Sequence, residues 1–270
     1  MHDAPRLNTV KLTPLLRNPA AKPLLVVGPS LGTSAAALWA DVAERLADTF
    51  SIIGFDLPGH GVSKGIAPLA DIPDLAKAVL ASADAELKAA DRDGEMFLYA
   101  GVSVSGCIGL QLLLDASQRV AAAAIINSAA KIGEKTSWRE RRDFVLANGT
   151  NALREASAQR WFAPGFITAN SASAERLLDS LSATEAEGYA GICEALSSFD
   201  VRGALRFISR PVLAVGGEDD IVTPPDLQKV LARDISGAHI GILPNVGHLA
   251  PAEKPETITI LLRDFFTTLS

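Results

Sequence analysis

Short, nearly continuous apolar runs recur along the chain at Leu24–Gly28, Ser51–Phe55, Met96–Ala100, Arg119–Asn127, Pro211–Val215 and Ala238–Leu243. Each has the length of a strand, and apolar runs without alternation predict strands buried on both faces, as in a parallel sheet. Between them lie stretches with the three-to-four-residue repeat of amphipathic helices. One is Ala-rich and runs to about Ala47; others cover roughly Ile72–Ala90, Cys107–Leu114, Pro225–Arg233 and Pro255–Leu269. A short hairpin is expected over Leu7–Leu16, interrupted by Pro14. From Lys131 to about Asp200 the strand signal stops. Helical periodicity takes over at Glu134–Ala147, Asn151–Trp161, Ser173–Leu181 and Glu185–Ser197, punctuated by Pro164-Gly165 and Asn170-Ser171. The expected fold is α/β, with a mostly parallel sheet covered by helices on both faces and an inserted helical cap. Residues 1–130 and 201–270 would form the core in two parts, and residues 131–200 the cap.

The stretch Met96–Leu114, MFLYAGVSVSGCIGLQLLL, carries the strongest chemical signal. A strand, the turn Gly101-Val102-Ser103-Val104-Ser105 and a helix follow one another without a linker, the pattern of a nucleophile elbow. Ser103 at its tip must adopt a left-handed backbone, and the residues two before and two after it must be small. Here these are Gly101 and Ser105. Ser105 is a rival nucleophile, but it would lie a turn into the helix with Ser103 and Cys107 as its spacers.

A serine needs a base, and the base needs an acid to fix its tautomer. Of four histidines, His2 is terminal, His60 lies in a glycine-rich turn and His239 falls inside a strand. His248 follows the last strand in Pro244-Asn245-Val246-Gly247-His248, at the sheet edge where parallel α/β folds place their chemistry. The loop Gly216–Pro224 offers the acid: Asp220, with Asp219 as runner-up. The order Ser103, Asp220, His248 is that of α/β-hydrolases. Backbone N–H groups of Val104, after the nucleophile, and Leu31, in the loop Ser30-Leu31-Gly32-Thr33 after the first parallel strand, are the expected oxyanion donors.

The overall charge of −6 and pI near 5.3 argue against a nucleic-acid partner. The apolar run Val120–Ile126 is far short of the roughly 20 residues of a membrane span, and the N-terminus lacks a signal-peptide pattern, so a cytoplasmic protein is expected. Cys107 and Cys193 have no metal-ligand spacing; no metal and no cofactor are expected. The strand–loop–helix at Leu24–Ala47 has neither nucleotide-binding glycine spacing.

Several segments carry a resemblance. Asn127–Gly133 leading to Trp138, Arg160–Phe166, Glu187-Gly188-Tyr189-Ala190, and Ser30–Thr33 with Trp39 resemble the 3-oxoadipate enol-lactonases of bacterial aromatic catabolism, within the α/β-hydrolase superfamily. The similarity runs from about Leu24 to the C-terminus. It differs at Ser105-Gly106, where the family has Gly-Gly, and over Glu218–Val222. The resemblance implies opening of a small anionic enol-lactone to 3-oxoadipate through an acyl-enzyme, without metal or cofactor. A carboxylesterase or other lactonase, or a hydrolase-like ligand receptor, are the alternatives. An anionic substrate asks for local positive charge, and residues 131–160 hold seven bases against four acids. From that segment Arg139 and Arg142 are candidate carboxylate ligands, and Trp138 and Trp161 candidate pocket walls.

Overall fold

The computed structural model describes residues 7–13, 22–65 and 71–268. Seven strands form one sheet: β1 (Thr9–Lys11), β2 (Leu24–Gly28), β3 (Ser51–Phe55), β4 (Phe97–Val102), β5 (Val120–Ile126), β6 (Val212–Gly217) and β7 (His239–Leu243). Their spatial order is β1-β3-β2-β4-β5-β6-β7, and every pairing is parallel except β1 with β3. Strands β2, β3 and β4 are buried along their whole length, as their unbroken apolar composition requires once helices cover both faces. The edge strand β7 is exposed at His239 and Ile240, and its buried end is Leu243.

The expected N-terminal hairpin is not formed. Thr9–Lys11 instead lies antiparallel on β3, with Val10 opposite Gly54. The second arm expected at Pro14–Leu16 falls outside the described residues. The other strands appear within two residues of their expected bounds. Met96 stays outside β4 at 47% exposure.

Between β5 and β6 the chain makes helices at Lys135–Asn148, Arg154–Trp161, Phe166–Ala169, Ser171–Ser182 and Ala186–Ser198, with a 3₁₀ turn at Thr150–Leu153. Lys135–Asn148 buries only Val145, and it packs on Ala186–Ser198, whose Tyr189, Ile192, Cys193 and Leu196 are buried. None of the described helices is long and apolar enough to cross a membrane.

The sheet register brings the chemistry to one edge. Gly28 is level with Gly101, Val102 with Ile126, Ile126 with Val215, and Gly217 with Leu243. The segments that leave these carboxyl ends therefore emerge side by side. They begin with Pro29, Ser103, Asn127, Glu218 and Pro244.

The turn after β4 is packed tightly enough to explain its composition. A Cβ on Gly101 would run into the Ser105 carbonyl. A Cβ on Gly28 would come 2.5 Å from both the Phe55 ring and Ser105 Cβ. Ser105 thus occupies the elbow's second small position because the neighbouring strand contributes a glycine opposite it, and its hydroxyl donates to Pro29 O at 2.6 Å. Gly28→Ala is expected to destabilise the protein by about 2 kcal/mol through overpacking. In a Ser105→Gly background the loss should be smaller, and urea unfolding of the four variants measures the coupling.

Candidate active site

Ser103 sits between β4 and the helix Val104–Asp115 with φ 58° and ψ −120°. For a residue with a Cβ this backbone costs on the order of 1–3 kcal/mol. Bonds on every side hold it: its N–H donates to Ile126 O at 3.0 Å, and its carbonyl accepts from Gly106 N–H at 2.8 Å and Ser128 Oγ at 2.6 Å. The side chain makes no capping bond to the helix it precedes and is 6% exposed. Ser105 is fully buried with its hydroxyl committed to Pro29 O, which removes it as a rival.

Asp220 and His248 form a buried pair, with His248 Nδ1 2.9 Å from Asp220 Oδ2. Asp220 accepts from every side. Oδ1 takes the N–H groups of Val222 (2.8 Å) and Thr223 (2.9 Å), while Oδ2 takes Thr223 Oγ1 (2.6 Å), Asn127 Nδ2 (2.9 Å) and His248 Nδ1. Burial opposes ionisation of Asp220, but the His248 charge and ring N–H, with the Thr223 donors, outweigh it. The carboxyl is held well below the usual carboxylate range. An ionised carboxylate can only accept, so the proton of a neutral His248 lies on Nδ1 and leaves Nε2 with its lone pair. Asp219, the runner-up, gives its backbone N–H to Val246 O and takes no part in this network.

Asn127 joins Ser103 to the pair. The serine N–H bonds the residue before Asn127, and the Asn127 amide reaches both Asp220 Oδ2 and Gly247 O (3.0 Å), one residue before His248. Glu253 braces the same loop. Buried at 7% exposure, it accepts from the N–H groups of Gly247, Leu249 and Ala163. Desolvation raises its pKa despite these donors. His248 N–H in turn donates to Trp161 O at 2.7 Å.

Of the four N–H groups in the loop Ser30–Thr33, three have acceptors: Ser30 bonds Thr33 Oγ1 (3.1 Å), Gly32 bonds His60 Nε2 (3.0 Å) and Thr33 bonds Ser30 O (3.0 Å). The Leu31 N–H has no acceptor among the described residues, nor has that of Val104 at the start of the helix. The two expected oxyanion donors are thus uncommitted.

The helices between β5 and β6 rearrange the expected recognition residues. Arg139 and Arg142 are both tied to Glu194, at 3.2 and 2.5 Å, and neither lines the cleft beside them. A cleft of about 460 Å³ is instead lined by Trp138, Arg141, Phe144, Leu153, Arg160 and, from the loop that holds Asp220, Val222. Arg141 lies over the Trp138 ring at 5.9 Å and donates to the Tyr189 hydroxyl at 3.3 Å. Among the described residues neither Arg141 nor Arg160 has a carboxylate within ion-pair distance, although Glu140 also lines the cleft. Arg160 is open to solvent, yet desolvation and then the Arg141 charge pull its pKa below that of an ordinary arginine. Trp138 is a wall of this cleft, anchored by Nε1 to Ile132 O at 2.6 Å. Trp161 is buried beside Gly32 and the His248 backbone rather than in the cleft wall.

Thr223 and Glu253 are contributors that the sequence does not single out, while Asn127 enters it only at the head of a resembling segment and His60 only as a histidine in a glycine-rich turn. Thr223 carries a local signal, a hydroxyl three residues after an aspartate, which suits an Asp-closed turn. No group of three His, Cys, Asp or Glu among the described residues could hold a metal ion. Asn127→Ala removes two buried bonds from Asp220 and the His248 loop. It is expected to lower stability by about 2–3 kcal/mol, read by chemical denaturation.

The model of the α/β hydrolase fold family matches residues 23–255. The chain is 32% identical over 237 residues to 3-oxoadipate enol-lactonase 2 of Acinetobacter baylyi, covering 88% of this chain and 86% of that protein. It is 30% identical over 254 residues to 3-oxoadipate enol-lactonase 1 of the same organism, covering 94% and 92%. The crystal structure of the enol-lactonase from Burkholderia xenovorans LB400 superposes with a TM-score of 0.87 at 27% identity, covering 97% of this chain and 96% of that one. The chain belongs to the α/β-hydrolase fold family and, within it, to the 3-oxoadipate enol-lactonases.

Proposed function

We propose that the protein is a serine hydrolase that opens 3-oxoadipate enol-lactone to 3-oxoadipate, with Ser103 as nucleophile, His248 as base and Asp220 as its orienting acid. The observation that carries this reading is the buried, hydrogen-bonded Asp220–His248 pair on the sheet edge that also bears the strained Ser103. Its relatives' activity supports the choice of substrate.

Ser103 Oγ attacks the lactone carbonyl as its proton passes to His248 Nε2. The developing oxyanion meets the N–H groups of Leu31 and Val104. Collapse breaks the ring C–O bond. The departing enol oxygen stays tethered on a carbon within the acyl chain and takes the proton from His248, and the enol then tautomerises to the ketone. An enol leaves more readily than an alkoxide, and ketone formation draws the step forward. Water, deprotonated by the same His248, then releases the acid and restores Ser103. Asp220 keeps the imidazole in the required tautomer throughout.

In this reading residues 131–200 act as the cap over a core made of residues 1–130 and 201–270, and Arg141 and Arg160 take the place of Arg139 and Arg142 as carboxylate ligands. Two guanidiniums facing a cleft with a single acid beside them fit a small anionic acid better than a neutral ester.

Loss of enol-lactone absorbance with purified protein tests the assignment, beside a neutral aryl ester. Rapid ring opening is expected, falling at least ~10³-fold in Ser103→Ala and in Asp220→Asn. Arg160→Ala and Arg141→Ala should each raise KM for the lactone about 10- to 100-fold, the loss of one charged hydrogen bond, and leave the neutral ester unchanged. Turnover of the ester alone would make this an esterase of another acid. Turnover of neither would leave a ligand receptor.

A further inference from the structure

His60 has no place in the chemistry above, yet it is fully buried and both ring nitrogens are bonded. It sits in the turn Asp56–Ser63. Asp56 fixes that turn by accepting the N–H of Val62 at 2.8 Å and, from the start of the helix after the Ser30–Thr33 loop, the N–H of Ala35 at 2.7 Å. His60 Nδ1 lies 2.8 Å from Pro58 O, which can only accept, so Nδ1 carries the proton. Nε2 lies 3.0 Å from Gly32 N, which can only donate, so Nε2 must present its lone pair. Both bonds require the same neutral tautomer. The helix Ala186–Ser198 closes over the ring, with Tyr189 stacked at 6.3 Å and 15°, and Glu185 N–H bonds Gly59 O at 2.9 Å. Burial, only partly offset by the Pro58 carbonyl and the Glu185 charge, pushes the imidazole down to about 4. A side chain of similar volume without an acceptor would fill the space but leave the Gly32 N–H buried and unpaired.

We propose that His60 is a positioning residue for the oxyanion hole: by accepting the Gly32 N–H it fixes the loop conformation in which the adjacent Leu31 N–H remains free for the substrate oxyanion. The inference rests on Ser103 being the nucleophile. The loop has a second constraint on its other contacts, since a Cβ on Gly32 would lie 2.6 Å from Leu181 and 3.4 Å from the Trp161 ring. His60 supplies the polar half of that grip, and it never touches substrate. Oxyanion donors act only if they are placed before charge develops, so loosening this peptide weakens transition-state binding and leaves ground-state binding in place.

The test uses the full-length protein, a neutral aryl butyrate and a small alkylboronic acid, whose boron accepts Ser103 Oγ to form a tetrahedral anion. His60→Ala is expected to reduce the acylation burst rate roughly 10- to 100-fold and boronic acid affinity by a similar factor, with KM for the ester within about threefold. His60→Gln, which keeps an acceptor, should recover part of both losses. Unchanged boronic acid affinity in folded His60→Ala would overturn the proposal. Should that variant fail to fold, ¹⁵N NMR of the wild-type imidazole decides: a proton on Nδ1 supports the proposal, and one on Nε2 overturns it. A boronic acid that fails to inhibit the wild type, or that inhibits Ser103→Ala equally, would sink the serine-hydrolase reading first and separately.

Discussion

A carboxylate taken out of water must find donors or lose its charge, and the arrangement of this sheet edge follows from how Asp220 meets that demand. Its donors come from three places in the chain: Asn127 after β5, Val222 and Thr223 after β6, and His248 after β7. Val222 and Thr223 reach it within one loop, whereas Asn127 and His248 reach it because β5, β6 and β7 are parallel and in the observed register. The same bonds decide the His248 tautomer and, through Asn127, tie the pair to the strand end that holds Ser103. Removing one donor leaves the others around a less well satisfied charge, so the network acts as a unit.

The proposed chemistry and the proposed recognition stand on different parts of the molecule. The proposed reacting groups stand on segments leaving the carboxyl edge of the sheet, and Ser103 is bonded through its N–H to the adjacent strand at Ile126 O. The arginines and aromatic residues of the cleft stand on helices between β5 and β6, which meet the core through side-chain packing and through hydrogen bonds. Trp161 O with His248 N–H, Ala163 N–H with Glu253 and Glu185 N–H with Gly59 O are three of them. Such a division would let the substrate change while the proposed triad stays in place.

The sheet was legible in the sequence because buried parallel strands need unbroken apolar runs, and the elbow because so sharp a turn tolerates only small neighbours. Strand β1 was not: three residues pairing antiparallel at an edge have no periodicity to read. Asn127 could not be identified either, since its partners lie 93 and 120 residues away. The arginines show a different limit. Counting charge pointed to the segment that also holds Arg141 and Arg160, the arginines lining the cleft, but each step along a helix turns the side chain by about 100°. Arg139 and Arg142, three apart, share the face that meets Glu194. Arg141 lies with Trp138 and Phe144, also at threes, on the face that meets the cleft. Which of the two stripes faced the partner helix depended on packing that the local sequence does not contain.

The central claim is that Ser103 becomes acylated by the lactone itself. Because the leaving enol stays attached, a single-turnover reaction quenched in acid should yield protein heavier by the whole lactone, with the added mass on the peptide bearing Ser103 and none in Ser103→Ala. An adduct on another residue, or lactone opening at an undiminished rate in Ser103→Ala, would contradict the account.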